Sequence, residues 1–197
     1  HMEANLIFYV LNTAISVIVA LLGLRFLLQL AQVNFYNPIS QGVNRFTAPL
    51  TAVFRGLPTI GSFNIGILVA AIVIQAIGAG LCLILIGGMP GIAQLIVWSI
   101  LSVFGVMINL VFYALLGMII LSWLAPSASH PGAELLYQLS EPFLAPFRKI
   151  VPDLGGLDLS PILLFVVINL LEAMVIRAPA RSMGMSQTVA QFFVGIS

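Results

Sequence analysis

The segment PLTAVFR at residues 49–55 recurs as PFLAPFR at residues 142–148, 93 positions further along the chain. At the same offset, Pro38 aligns with Pro131. Prolines and an arginine that recur in the same order at one fixed offset indicate an internal duplication. We therefore predict that the chain consists of two related structural units.

Apolar segments flank both copies of this element, at about residues 6–31, 65–86, 92–124 and 161–176. A helix of about 20 apolar residues crosses the hydrocarbon core of a bilayer, so each segment is predicted to be one membrane span. The third segment is long enough that its helix must tilt or place its first turns at the interface. The fourth segment is short, and Glu172 interrupts it.

This pattern predicts an all-α membrane protein with four transmembrane helices, arranged as two parallel helix–loop–helix repeats with interfacial amphipathic segments in the loops. The first repeat is assigned to residues 1–88. The second is assigned to residues 89–197, which end in a short C-terminal tail. Because each repeat crosses the membrane twice, the second enters in the same orientation as the first. Both long loops are then expected on one side.

Composition supports a membrane protein and argues against several other classes. The chain is 61% hydrophobic and 7% charged, with a mean hydropathy of +1.16, whereas soluble domains carry about 25% charged residues. Its basic residues are scattered, which argues against nucleic-acid binding. The sequence has no HExxH zinc motif, and Cys82 is its one cysteine. We therefore predict no catalytic site, cofactor or metal site.

Both long loops contain a short amphipathic stretch. Apolar residues recur there at helical spacing: Leu50, Val53, Phe54 and Leu57 in the first loop, and Phe143, Phe147 and Ile150 in the second. Arg55, Arg148 and Lys149 lie off these apolar faces. Such segments lie flat at the interface with their cations toward lipid phosphates, so anionic lipid headgroups are predicted partners. Pro142 and Pro146 are expected to prevent a long regular helix.

The distribution of basic residues predicts the orientation in the membrane. The long loops carry Arg45, Arg55, Arg148 and Lys149, and the opposite side carries Arg177 and Arg181. The positive-inside rule then places the long loops in the cytoplasm and both termini outside.

The second loop also carries a longer motif. LSEPFLAPFRKIVP at residues 139–152 is followed by GGLDLSP at residues 155–161, and FYNP occurs in the first loop at residues 35–38. These sequences resemble the YggT family, in particular its bacterial two-repeat members, over nearly the whole chain. The first copy departs from the motif, because it has Arg55 alone where the second has two consecutive cations.

The resemblance implies a multi-pass protein of the bacterial cytoplasmic membrane. Family members have been linked to osmotic tolerance and potassium-related phenotypes, to division or nucleoid placement, and in plastids to assembly of a membrane cytochrome. One predicted function is a non-enzymatic protein that contributes to osmotic-stress adaptation by supporting or modulating potassium or other ion movement. The alternative is a scaffold or assembly factor that docks partners or lipids through its cytoplasmic loops. Conduction would require a homo-oligomer, since four spans provide too little wall for a pore.

Charged residues and prolines in or near the membrane are the candidate functional residues: Arg25, Arg55, Glu141, Pro142, Pro146, Arg148, Lys149, Pro152, Asp158 and Glu172. Arg25 lies inside the first span, where a cation is costly. It is interpreted as a lipid anchor, as the partner of a loop acid such as Glu141 or Asp158, or as part of an ion path. Glu172 either pairs with Arg177 or faces a cavity.

Polar residues within the spans distinguish the two functions. The relevant residues are Arg25, Gln75, Asn109, Asn169 and Glu172. If they line one hydrated cavity, conduction is favoured. If they form separate pairs, a scaffold is favoured, because interhelical hydrogen bonds then explain them without a pore.

Overall fold

The structure is a computed structural model, and it describes residues 2–88, 91–125, 129–151, 159–193 and 195–196. Its helices are α1 (Met2–Leu30), α2 (Pro38–Thr51), α3 (Ile65–Leu85), α4 (Ile92–Leu124), α5 (Pro131–Arg148), α6 (Ser160–Leu171), α7 (Ala178–Ser182) and α8 (Gln187–Ala190). A 3₁₀ turn (Ala52–Phe54) follows α2, and a π-helical segment (Glu172–Arg177) joins α6 to α7. Two short antiparallel strands, β1 (Thr59–Ile60) and β2 (Phe63–Asn64), precede α3.

Four helical segments are long and apolar enough to cross a membrane, which confirms the predicted helical fold. They are Leu6–Leu30, Ile65–Leu85, Ile92–Leu124 and Ser160–Ser182. The fourth extends beyond its predicted end at residue 176, because the π-helical segment carries the helix through Glu172 without a break. The side chain of Glu172 lies 3.9 Å from Arg177, five residues later, which is the spacing of one π-helical turn.

The bundle is built around the contact of α1 with α3, and α4 packs against both. Val19 and Leu22 of α1 are fully buried there, together with Leu115 of α4. Gly78 of α3 allows the closest approach, since a Cβ at this position would lie 2.6 Å from Cγ2 of Ile15. Small residues bring membrane helices together in this way, where lipid provides no hydrophobic drive for association.

The two loop helices, α2 and α5, begin in the same way. The side chain of Asn37 caps α2 by accepting a hydrogen bond from the backbone N–H of Ile39, and His130 caps α5 by accepting one from Gly132. A proline occupies the first turn of each helix, where its missing N–H costs nothing. The duplication therefore extends from the sequence to the local chemistry that starts each loop helix.

Helix α5 contradicts the prediction that Pro142 and Pro146 would prevent a long regular helix, since it runs through both residues. Pro49 likewise lies inside α2. A proline leaves one backbone carbonyl of the preceding turn without its donor. All three prolines lie on exposed faces, where that carbonyl can be hydrated, while Leu139 and Leu144 pack the buried face of α5.

The first loop becomes helical earlier than its apolar spacing predicted. Helix α2 ends at Thr51, so the predicted amphipathic stretch at residues 50–57 covers its last turn, the 3₁₀ turn and a further turn. The chain then reverses in the hairpin of β1 and β2, where Gly61 adopts φ +61°. Phe63 of this hairpin packs edge-on against Phe26 of α1, with ring centroids 5.0 Å apart.

The segment after α7 folds back into the bundle and is not a loose tail. Gly184, at φ +86°, reverses the chain. Phe193 is fully buried edge-on against Trp98 of α4, with ring centroids 5.8 Å apart. A Cβ at Gly105 of α4 would collide with the backbone carbonyl of Gly195. We call residues 183–193 and 195–196 the re-entrant segment.

Candidate functional site

Arg25 near the loop end of α1 joins that span to α2. Its Nη1 donates hydrogen bonds to Oγ1 of Thr47 (3.1 Å) and Oγ1 of Thr51 (2.9 Å). Each threonine hydroxyl donates its own hydrogen to a carbonyl of the preceding helical turn, that of Val43 (2.7 Å) or Thr47 (3.3 Å). The lone pairs of both hydroxyls are therefore directed toward the arginine.

Among the described residues, no carboxylate forms an ion pair with Arg25. Glu141 forms its ion pair with Arg148 in its own helix, so the prediction that it pairs with Arg25 is wrong. Asp158, the other proposed partner, lies outside the described residues, as does Pro152.

A cavity of about 420 Å³ opens beside Arg25, between the end of α1 and the start of α2. Arg25, Gln29, Ser40 and Asn44 provide its polar lining, and Phe35 its aromatic edge. Ser40 is only 4% exposed, and its Oγ has no hydrogen-bond partner among the described residues. We call this space the Arg25 pocket.

The two loop helices and the residues that flank them form one surface, which we call the platform and define as residues 34–55 and 130–150. The side chain of Asn37 donates a hydrogen bond to the carbonyl of Pro131 (2.9 Å), and the backbone N–H of Asn34 donates one to Gln138 (3.0 Å). Asn37 is 3% exposed, so the first of these bonds is shielded from water. Both bonds are donated by residues just before α2 and accepted by residues of α5, so they connect the two repeats.

Cations and large apolar side chains are both exposed on the platform. Arg45 and Arg55 are exposed in the first loop, and Arg148 and Lys149 in the second. Large apolar side chains lie exposed beside them: Phe35, Tyr36, Phe46, Val53 and Ile150. Pro142 and Pro146 lie on the exposed side of α5. This surface has the composition of an interfacial membrane-binding element.

The polar residues of the spans bond to several different partners in the described part of the chain. Gln75 donates to the carbonyl of Phe192 in the re-entrant segment (2.9 Å), and Ser102 Oγ accepts from the N–H of Gly195 (3.3 Å). Asn12 donates to the carbonyl of Gln191 (3.1 Å). Arg25 and Glu172 have separate partners elsewhere. Asn109 is partly buried and Asn169 is exposed.

Sequence reasoning missed two features of the site. The first is a polar stripe on the buried side of α2, formed by Ser40, Asn44, Thr47 and Thr51. Its spacing of four, seven and eleven residues is helical and is visible in the sequence. The prediction instead followed the apolar stripe at residues 50–57. The second is the re-entrant segment, because no local sequence pattern predicted that it packs against the bundle.

The described residues contain no group of three or more His, Cys, Asp or Glu side chains placed to hold a metal ion. Cys82 is buried in α3. The chemistry available at the site is therefore hydrogen bonding and charge attraction by guanidinium, hydroxyl and amide groups. Such groups bind oxyanions and backbone carbonyls.

Comparison with known proteins gives two family matches and several similar chains. Residues 4–85 and 97–179 match the CCB3/YggT family. An uncharacterized protein of Pseudomonas aeruginosa is 44% identical over 187 residues, which cover 93% of this chain and 95% of that protein. The uncharacterized protein YggT of Escherichia coli K12 is 34% identical over 180 residues, 88% of this chain and 93% of that protein. No solved structure is significantly similar.

A plant protein shares part of the chain. YlmG homolog protein 2, chloroplastic, of Arabidopsis thaliana is 43% identical over 61 residues, 31% of this chain and 24% of that protein. The two family matches start at the spacing at which the sequence repeats, which confirms the predicted duplication. The predicted membership is likewise confirmed: the chain belongs to the CCB3/YggT family, as a membrane protein with two copies of the family unit.

Proposed function

We propose that this protein is a non-enzymatic organiser of the bacterial cytoplasmic membrane. Its platform docks anionic lipid headgroups and partner proteins at the cytoplasmic surface, and this docking contributes to osmotic-stress adaptation. The observation that supports this proposal is the pair of hydrogen bonds between the start of α2 and α5. They bring the basic loops of both repeats onto one surface.

Charge and apolar exposure support docking to a lipid surface. A cation close to an anionic leaflet contributes about 1 kcal/mol of attraction. The platform carries several exposed cations, and side chains such as Val53 and Phe46 are exposed beside them. Apolar insertion and charge attraction add up in interfacial helices, so the two features together favour selective binding of anionic lipid.

Separate pairing of the polar span residues favours docking over a permanently open pore. Arg25, Gln75 and Glu172 each have hydrogen-bond or ion-pair partners within the fold. An open aqueous path would need such groups along one continuous cavity.

Lipid selectivity in native membranes tests the proposal. The protein is extracted in polymer-bounded native discs, and headgroup composition is measured by mass spectrometry. The wild type is expected to be enriched in anionic lipid, and Arg148→Ala with Lys149→Ala to lower that enrichment. Arg177→Ala with Arg181→Ala, the matched control at the other end of the bundle, is expected to retain it.

The control pair also decides what a negative result means. Equal losses in both double variants would attribute the enrichment to general charge and contradict docking at the platform. In cells that lack the protein, the wild type is expected to restore growth at high osmolarity, and the platform variant to restore it poorly. Full restoration of growth by the platform variant would show that osmotic adaptation does not depend on lipid docking at the platform.

The second candidate function is ion movement in support of osmotic adaptation, and the re-entrant segment favours it. Irregular backbone at membrane depth occurs where it is buried in protein or lines a water-filled cavity. Gln75 and Ser102 would line a polar groove if the segment withdrew. Potassium and sodium flux from proteoliposomes, compared with empty liposomes and with a Gly105→Leu variant, tests this. Selective flux that rises in the variant supports it, and no flux in either sample contradicts it.

A further inference from the structure

We infer that the Arg25 pocket is a specific binding site for one phosphate group, supplied by a lipid headgroup or by a free phosphate. This inference deepens the proposed docking function and rests on it, because both place a phosphate at the loop end of the bundle. The pocket differs from the platform surface in being an internal site with partly buried donors.

The guanidinium of Arg25 is held in a fixed position with donors to spare. Its Nη1 is occupied by the hydroxyls of Thr47 and Thr51. Its Nε and Nη2 have no partner among the described residues. A guanidinium presents its donors in a planar fork that matches two oxygens of a phosphate. The two threonines therefore orient the arginine while leaving its other edge available to a ligand.

Ser40 provides an independent indication of a ligand. Ser40 is one of the residues that line the pocket, it is 96% buried, and its Oγ has no hydrogen-bond partner among the described residues. A buried hydroxyl without a partner is costly, and native proteins rarely leave one unsatisfied. Ser40 also lies in the first turn of α2, where the positive end of the helix dipole favours an anion.

The local charge balance points to the same ligand. No carboxylate among the described residues forms a salt bridge with Arg25 or Arg55. Two cations near the membrane surface that have no carboxylate partner among the described residues lower their energy by binding an anion. The amide side chains of Gln29 and Asn44 add neutral donors to the same cavity.

Only the first repeat has this site. At the repeat offset, Arg25, Ser40 and Thr51 correspond to Met118, Ala133 and Leu144, which are buried apolar residues. Thr47 corresponds to Ser140, a fully buried hydroxyl in α5. Duplication followed by divergence would thus leave one polar pocket in a molecule with two similar scaffolds. Ser140 also provides a matched control position.

Ligand binding by the purified full chain tests the inference. In a phosphate-free glycoside detergent, native mass spectrometry measures how much phosphatidylglycerol is retained on titration, and ³¹P relaxation measures binding of inorganic phosphate. Arg25→Lys keeps the charge but loses the fork, and Ser40→Ala removes one hydroxyl. We expect Arg25→Lys to weaken binding about tenfold or more and Ser40→Ala by a smaller factor. Ser140→Ala is expected to leave binding unchanged.

The two ligands distinguish the source of the phosphate. Saturable phosphatidylglycerol binding without inorganic phosphate binding identifies a lipid headgroup, and competition by inorganic phosphate identifies a free ion. Absence of saturable binding by either, or equal binding by wild type and Ser40→Ala, overturns the inference. Arg148→Ala with Lys149→Ala separates the two proposals: it is expected to reduce general anionic enrichment and leave the saturable site intact.

Discussion

At the residue scale, Arg25 shows how an apolar bundle accommodates a cation. An arginine at the centre of a membrane helix costs about 2.5–3.5 kcal/mol on insertion scales, and Arg25, near the loop end of its span, incurs a smaller cost. The fold offsets this cost with two hydroxyls whose residues, Thr47 and Thr51, are 0% and 6% exposed. The cation in turn fixes α2 against α1, so its partners stabilise a loop as well as a charge.

Removal of both hydroxyls tests this role. Thr47→Val with Thr51→Val keeps the side-chain shape but leaves a partly buried guanidinium without its acceptors. We expect the loss of each acceptor to lower the free energy of unfolding in detergent by about 1–3 kcal/mol. Thr59→Val, at an exposed position of β1, is the matched control and is expected to have little effect. Equal stability of the double variant and the control would contradict the role.

A second prediction at this scale concerns the contact of Gly105 with Gly195. Gly105→Ala places a methyl group against the backbone of the re-entrant segment and is expected to displace it. Hydrogen–deuterium exchange should then speed up at residues 191–196 while the spans stay protected. Gly42→Ala, with no neighbouring atom within 4 Å of the added Cβ, is the control glycine. Unchanged exchange in Gly105→Ala would argue against close backbone contact.

At the element scale, the two loop helices act as one unit because their starts are bonded to each other. Asn37 has two functions, since its side-chain oxygen caps α2 and its amide donates to the carbonyl of Pro131. The capping function is local, and the contact with α5 is tertiary. A substitution that keeps the first and removes the second therefore isolates the platform contact.

Asn37→Ser is this substitution, because serine also caps helices well. We expect it to loosen α2 from α5 and to lower the free energy of unfolding by about 1 kcal/mol. Spin labels at Gln41→Cys and Glu134→Cys, both exposed, report the separation by double electron–electron resonance. A broader distance distribution than in the parent protein is expected. An unchanged distribution would show that contacts other than that of Asn37 hold α2 against α5.

At the scale of the whole molecule, the parallel repeat predicts a single-sided arrangement of both long loops, and the positive-inside rule assigns that side to the cytoplasm. An impermeant maleimide tests this assignment against a low background, because Cys82 is buried. Gln41→Cys and Glu134→Cys should react only after the membrane is opened. Gly88→Cys, at an exposed position after α3, should react in intact spheroplasts. The reverse labelling pattern would show that the long loops face the outside of the cell and contact the outer leaflet.

The sequence by itself determined the four spans, the duplication and the family. Span length depends on a local run of apolar residues, and the duplication is a fixed offset between motifs, so neither requires knowledge of contacts. Tertiary structure alone decided which groups meet. Arg25 binds hydroxyls 22 and 26 residues away, and Gln75 binds a carbonyl 117 residues away. Such pairings depend on how helices pack in space, because a polar side chain in an apolar bundle bonds to whichever partner the packing brings within reach.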